Sequence, residues 1–207
     1  MVNSQSIETA GQVASVIARG GVIAFRTDTF YGLGADPFNQ DAVRKIKQLK
    51  GREDNKPILI VISDYDQLAR FITSSSRAFQ LLAKNFWPGA LTLIGAACPE
   101  LPSEITAGTK TVGVRLPNDD RVRLLVRACG GALTATSANP SHAAPATTAR
   151  QVHEYFGDGV DLIVDDGEAQ TDRPSTVVNA SPGVPQLIRE GVIPWLEIKT
   201  ALALYVD

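Results

Sequence analysis

The chain has 207 residues, 44% of them hydrophobic, which is enough for one well-buried core, so a single domain over residues 1–207 is expected. Its formal net charge of -2 argues against a large nucleic-acid footprint, because proteins that grip a phosphate backbone usually carry a basic excess. No apolar run is long enough to span a bilayer, Met1 to Ala10 lacks the make-up of a secretory signal, and Cys98 and Cys129 are too few for a disulfide framework, so a cytoplasmic protein with buried, reduced thiols is expected.

Ile7 to Arg19 places Val13, Val16 and Ile17 along a helix that Gly20-Gly21 stops. Val22 to Phe25 is then a short apolar strand whose end presents Thr27, Asp28 and Thr29. Tyr31-Gly32-Leu33-Gly34 reads as a tight turn that uses its glycines for positive φ. Asn39 or Asp41 caps a helix with Ala42, Val43, Ile46 and Leu49 on one face and Lys50 in its last turn, followed by Gly51 and Arg52. A guanidinium fork, an ammonium and a glycine between them suit phosphate, although cations also decorate ordinary helix C-termini.

Ile58 to Ile62 is a continuous apolar strand, and Ser63-Asp64-Tyr65-Asp66 reads as the capping box of a short helix. Ser75 to Phe86 gives an amphipathic helix ended by Trp87-Pro88-Gly89, and two strands follow at Ala90 to Ala96 and Thr111 to Leu116, the second with Arg115 near its end. Asp119 or Asp120 caps a helix to Cys129, Gly130-Gly131 ends it, and the strand Ala132 to Thr136 runs into Ser137-Ala138-Asn139-Pro140-Ser141. Ala143 to Ala149 is a Pro/Ala/Thr loop that could close over a ligand as a lid. A helix from Thr147 to Phe156, strands at Leu162 to Val164, Ser175 to Val178 and Gln186 to Arg189, and a helix from Trp195 to Tyr205 complete the chain. The alternation predicts an α/β fold, a twisted mixed sheet flanked by helices, with a concave cationic cleft at the strand ends.

Neither a P-loop nor a dinucleotide fingerprint is present, His142 and His153 have no neighbours at metal-ligand spacing, and no serine stands in a nucleophile elbow. What remains is a set of hydroxyls at Thr27, Thr29, Ser137, Ser141 and Ser175, the amide of Asn139, and the cations Lys50, Arg52, Arg115 and Arg189. Such an inventory favours catalysis by positioning and charge, as in phosphoryl or nucleotidyl transfer with a divalent metal carried in by the nucleotide.

Six motifs occur in order: Thr27-Asp28-Thr29-x-Tyr31-Gly32-Leu33-Gly34, Lys50-x-Arg52, Phe86-Trp87-Pro88-Gly89-x-Leu91-Thr92, Val112-Gly113-x-Arg115-x-Pro117, Ser137-Ala138-Asn139 and Ser175-Thr176-Val177-Val178. Together they resemble the YrdC/Sua5 family of threonylcarbamoyl-AMP synthases, over roughly Gly11 to Val192. The resemblance implies a YrdC-like fold and an enzyme that joins L-threonine, bicarbonate or carbon dioxide, and ATP into L-threonylcarbamoyladenylate and pyrophosphate, with Mg2+ carried by ATP. It also implies a place in N6-threonylcarbamoyladenosine (t6A) modification of tRNA, with downstream t6A transferase proteins as partners and only indirect or weak contact with tRNA. Lys50, Arg52, Ser137 and Asn139 would then surround the nucleotide phosphates, Lys50 and Arg52 as the catalytic cations, with Arg115 and Arg189 nearby. Thr27, Tyr31 and Ser175 would hold threonine.

The chain departs from the family pattern at a few positions. Arg26 stands where the family usually has proline, Val61 where some members have histidine, His142 where glycine is common, and Arg173 and Asn179 where glycine and aspartate are usual. The additional C-terminal domain of the longer members is not expected. Two other readings stay open: a related carbamoyl or adenylyl transferase with a different acceptor, and a non-enzymatic RNA-binding module.

Overall fold

Local signals account for where most elements begin and end. The computed structural model describes residues 1–3, 7–51, 55–169, 171, 173–181 and 184–203. The chain opens with β1 (Val2–Asn3), α1 (Ile7–Ala18), β2 (Ile23–Arg26), β3 (Tyr31–Gly34) and α2 (Gln40–Lys50). The Asn39 side chain accepts the Ala42 amide as N-cap of α2, and Gly51 turns the chain out at φ 57°, directly after Lys50. Next come β4 (Ile60–Ile62), a 3-10 turn (Tyr65–Arg70), β5 (Ile72–Ser74), α3 (Arg77–Phe86) behind its cap Ser76, β6 (Leu91–Ala97), α4 (Ser103–Thr106) and β7 (Thr111–Arg115). Asp119 caps α5 (Asp120–Ala128), which leads to β8 (Ala132–Thr134) and β9 (Thr136–Ser137). Thr148 caps α6 (Ala149–Phe156), and β10 (Leu162–Asp165), β11 (Thr176–Asn179), β12 (Gln186–Arg189) and α7 (Trp195–Ala203) follow. The end of the predicted terminal helix, at 204–205, lies outside the described residues.

Among the described residues the strands form two mixed sheets, one in the order β1-β10-β2-β3-β9 and one in the order β12-β11-β6-β7-β4-β8 with β5 on β6. Continuous apolar strands are explained by cover on both faces. On β2, Ala24 points into the larger hydrophobic cluster while Ile23 and Phe25 point into the smaller one beside Val13 and Ile17 of α1 and Val122 and Val126 of α5. On β4, Ile60 and Ile62 face the larger cluster and Val61 the smaller. Full burial of each such side chain stabilises by about 1.5–3 kcal/mol. The larger cluster draws on both sheets, so Leu33 of β3 and Leu93 of β6 share one core.

Several predicted elements change for physical reasons. Tyr31-Gly32-Leu33-Gly34 is a buried antiparallel strand rather than a tight turn, with Arg26 opposite Tyr31 and Ile23 opposite Gly34. Gly34 is needed for space, since a Cβ there would lie 2.7 Å from the Phe25 ring. The Ser63-Asp64 capping box does not form: Asp64 accepts the Ser63 hydroxyl at 2.8 Å and the Arg127 guanidinium at 2.6 Å, and makes no side-chain cap. The predicted strand Ala132 to Thr136 divides at Ala135, so β8 joins one sheet and β9 the other. Cys98 and Cys129 are half-buried free thiols rather than fully buried ones.

Candidate active site

The last turn of α2 meets the loop that follows β9. Lys50 is only 4% exposed, and its Nζ donates to the carbonyl oxygens of Ser137 and Asn139, the latter at 2.7 Å. The loop answers with Ser141 N to Lys50 O at 2.7 Å. A buried ammonium is tolerated only where fixed oxygens replace water, and here the loop carbonyls do so. The Lys-x-Arg and Ser-x-Asn motifs are thereby joined at Lys50, while Arg52 lies outside the described residues. Ser137 ends β9 half-buried. Asn139 is 8% exposed, and its Nδ2 donates to Pro140 O and Ala143 O at 2.8 Å each. Two carbonyls on one side fix the amide orientation, and leave Oδ1 as a buried acceptor without a partner among the described residues.

The β2–β3 hairpin carries the second group. Its loop is folded by Thr27, whose Oγ1 donates to Phe30 O at 2.9 Å and accepts Thr29 N at 3.2 Å. Asp28 and Thr29 then meet Arg115 at the end of β7. Arg115, 3% exposed, pairs with the Asp28 carboxylate and donates to Thr29 Oγ1 at 3.1 Å and Gly89 O at 3.2 Å. Asn118 N adds a bond to Asp28 at 3.2 Å. Ser175, just before β11, shares a 3.0 Å hydrogen bond with Thr92 and receives the Arg189 guanidinium on its carbonyl at 3.0 Å and on its hydroxyl at 3.3 Å. Arg189 is exposed as a residue, but its guanidinium is partly desolvated where it lies on Ser175, and this, then the positive charge of Arg115, lowers its pKa from the ordinary value, so these two cations share one neighbourhood.

Tyr31, expected as a threonine contact, is engaged within the protein. Its hydroxyl donates to Gly167 O at 2.7 Å and accepts Asp166 N at 3.2 Å, so it ties the hairpin to the turn after β10. Burial raises its pKa above the usual tyrosine value. The two groups adjoin through β3: Gly32 pairs with Ser137, and Ala138 N donates to Tyr31 O at 2.8 Å. A cavity of about 610 Å³ lies beside the same turn of α2, lined by Arg44, Lys47, Gly51 and Glu104 among others. Ser137, Asn139, Arg115 and Ser175 are not part of its lining, so it does not outline the predicted cationic cleft.

A family model described as "Telomere recombination", that of the Sua5, YciO and YrdC proteins, matches residues 15–191. The chain belongs to the Sua5/YciO/YrdC family. It is similar to a threonylcarbamoyl-AMP synthase of Pyrococcus abyssi, 35% identical over 189 residues that cover 91% of this chain and 56% of the relative. A threonylcarbamoyl-AMP synthase of Thiobacillus denitrificans is 39% identical over 168 residues, covering 81% of this chain and 88% of the relative. The solved structure of Pyrococcus abyssi Sua5 complexed with L-threonine has a TM-score of 0.91 at 34% identity, covering 94% of this chain and 57% of that one. The chain thus spans little more than half the length of the Pyrococcus proteins that it matches.

The Sua5/YciO/YrdC motifs mark positions, and the contacts assign them partners. Asp28 was visible only as a carboxylate in a motif, yet it is the ion-pair partner of Arg115. Thr92 likewise proves to be the neighbour of Ser175. Arg26 was legible only as a departure from proline, and nothing local in the sequence announced its partners Asp119 and Asp166, 93 and 140 positions away.

Proposed function

We propose that the chain is an L-threonylcarbamoyladenylate synthase, a nucleotidyltransferase that uses ATP, L-threonine and bicarbonate or carbon dioxide. The observation that carries the reading is the convergence of Lys50, Ser137 and Asn139 with the hairpin loop that Thr27 folds and that offers Asp28 and Thr29 to Arg115. A carbamate formed on the threonine nitrogen is already an anionic nucleophile. Its oxygen can bond to the α-phosphorus as the bond to the β-phosphate oxygen breaks, with no strong general base. That suits a site built from hydroxyls, amides and cations. Negative charge accumulating on the departing pyrophosphate would be met by Lys50, Arg115 and Arg189, with Arg52 as the fourth cation of the motif set.

Mg2+ carried by ATP would add charge neutralisation at the phosphate oxygens. Such an ion would be held mainly by phosphates and water. The orphaned Oδ1 of Asn139 can only accept, so this amide suits a metal-bound water or a ribose hydroxyl, while the phosphate oxygens fall to the cations. The same reading makes t6A transferase proteins the receivers of the unstable adenylate, keeps contact with tRNA indirect or weak, and puts the enzyme in the cytoplasm.

The test is incorporation of isotope-labelled bicarbonate into a nucleotide product with Mg-ATP and L-threonine, beside Lys50→Ala and a series of other amino acids. Threonine-dependent labelling that disappears in the variant is the expected outcome. Labelling only with another amino acid would mean a different acceptor. No labelling at all, together with salt-sensitive RNA binding, would favour a binding module.

A further inference from the structure

Arg26 ends β2 with its side chain 6% exposed, and Nη2 donates to Asp119 at 3.2 Å and to Asp166 at 2.9 Å. Each carboxylate has a second duty. Asp119 Oδ1 caps α5 through the amides of Arg121 at 3.0 Å and Val122 at 3.2 Å, and Asp166 Oδ1 accepts the Arg121 guanidinium at 3.3 Å. The cross-strand mate of Arg26 is Tyr31, whose hydroxyl holds Asp166 N and Gly167 O. Side chains of such a pair project to one face of the sheet. The closing pair of the hairpin therefore grips the turn after β10 at both residues, and Arg26 also grips the start of α5. The loop that this pair closes is the one that carries Thr27 and Asp28.

Stability alone does not account for a guanidinium here. Apolar residues of similar volume often serve a buried site as well as an ion group does, and the Nε of Arg26 is buried with no hydrogen-bond partner among the described residues. What two carboxylates and a rigid planar fork supply is fixed geometry. We infer that Arg26 is a positioning residue for the acceptor amino acid: without touching substrate, it clamps the hairpin end against α5 and the turn after β10, and so sharpens selection of threonine at the Thr27 loop. The inference rests on Thr27 facing the acceptor in the proposed synthase.

Arg26→Met alone would take away the buried cation that joins the two carboxylates, leaving Asp166 its bond to Arg121 but Asp119 its cap alone, so the informative variant combines Arg26→Met with Asp119→Asn and Asp166→Asn. Asparagine still caps a helix, and volume is nearly conserved. We expect a folded protein whose KM for L-threonine rises about tenfold and whose preference for threonine over serine falls by a similar factor, while KM for ATP stays within about twofold. Calorimetric titration with L-threonine alone should show the same weakening. An unchanged threonine KM and threonine-to-serine ratio in the folded variant would overturn the inference, as would a parallel rise in KM for ATP, which marks general loosening. If the triple variant does not fold, Arg26→Lys keeps the charge, loses the fork and is read by the same criteria. Wild-type turnover separates the two readings: activity with another acceptor only overturns the threonine assignment and moves the selectivity measurement to that acceptor, and inactivity with every amino acid overturns both.

Discussion

Arg115 and Asp28 form the most exposed point of failure at the site, because each leaves the other nearly buried, with side chains 4% and 12% exposed. Removing one member of such a pair strands a charge. Arg115→Met should therefore lower stability by about 3–5 kcal/mol, and adding Asp28→Asn should recover much of that loss. Chemical denaturation of the two single variants and the double variant measures the coupling, and simple additivity would show that the pair is not energetically linked. Lys50, Ser137 and Asn139 were legible as site residues because their types suit the chemistry and their motifs are short. The bracing role of Tyr31 was not legible: a tyrosine in a motif reads as a ligand contact, and the bonds of its hydroxyl to Gly167 and Asp166 appear only in the tertiary structure.

Glycine illustrates at the element scale how one residue type serves two purposes that look alike in sequence. Gly51, read in the sequence as the glycine between two cations, ends α2 in the left-handed region so that Lys50 sits at the very tip. Gly34, expected in a turn, lies in a strand, and what it provides is room for the Phe25 ring across the hairpin. Gly34→Ala should cost about 1–3 kcal/mol through overpacking, read as a lower denaturation midpoint with an unchanged slope. A neutral result would mean that the ring moves aside freely. The loop from Ala143 to Ala149, whose action as a lid the sequence left open, is pinned at its middle: Ala146 is fully buried, donates to Ala138 O at 3.2 Å and accepts Tyr31 N at 3.1 Å. Its composition announced a loop but could not announce that its backbone adds a rung beside β3.

The two sheets are joined for the molecule as a whole where β8 passes into β9, and Thr134 Oγ1 accepts the buried Ala35 amide at 2.9 Å beside that break. Global stability also carries a pH signature. Burial pushes the Cys129 thiol above its ordinary range, up to about 12, so the native state keeps a proton that the unfolded chain releases. The contribution is fully present below about 9 and is lost as pH rises toward 12. Cys129→Ala should flatten the decline of stability across that window, and an unchanged slope would show that the thiol is not protected. By itself the sequence determined the local decisions: helix starts to within one or two residues of the caps Asn39, Ser76, Asp119 and Thr148, the apolar strands, and the motifs that mark the family. Those rest on capping and periodicity within a few residues. Only the tertiary structure decided that Lys50 reaches Ser137 across 87 positions and that Arg26 reaches Asp166 across 140. Such meetings depend on strand order and register, where a slip of one residue turns every side chain to the opposite face, and no local preference encodes them.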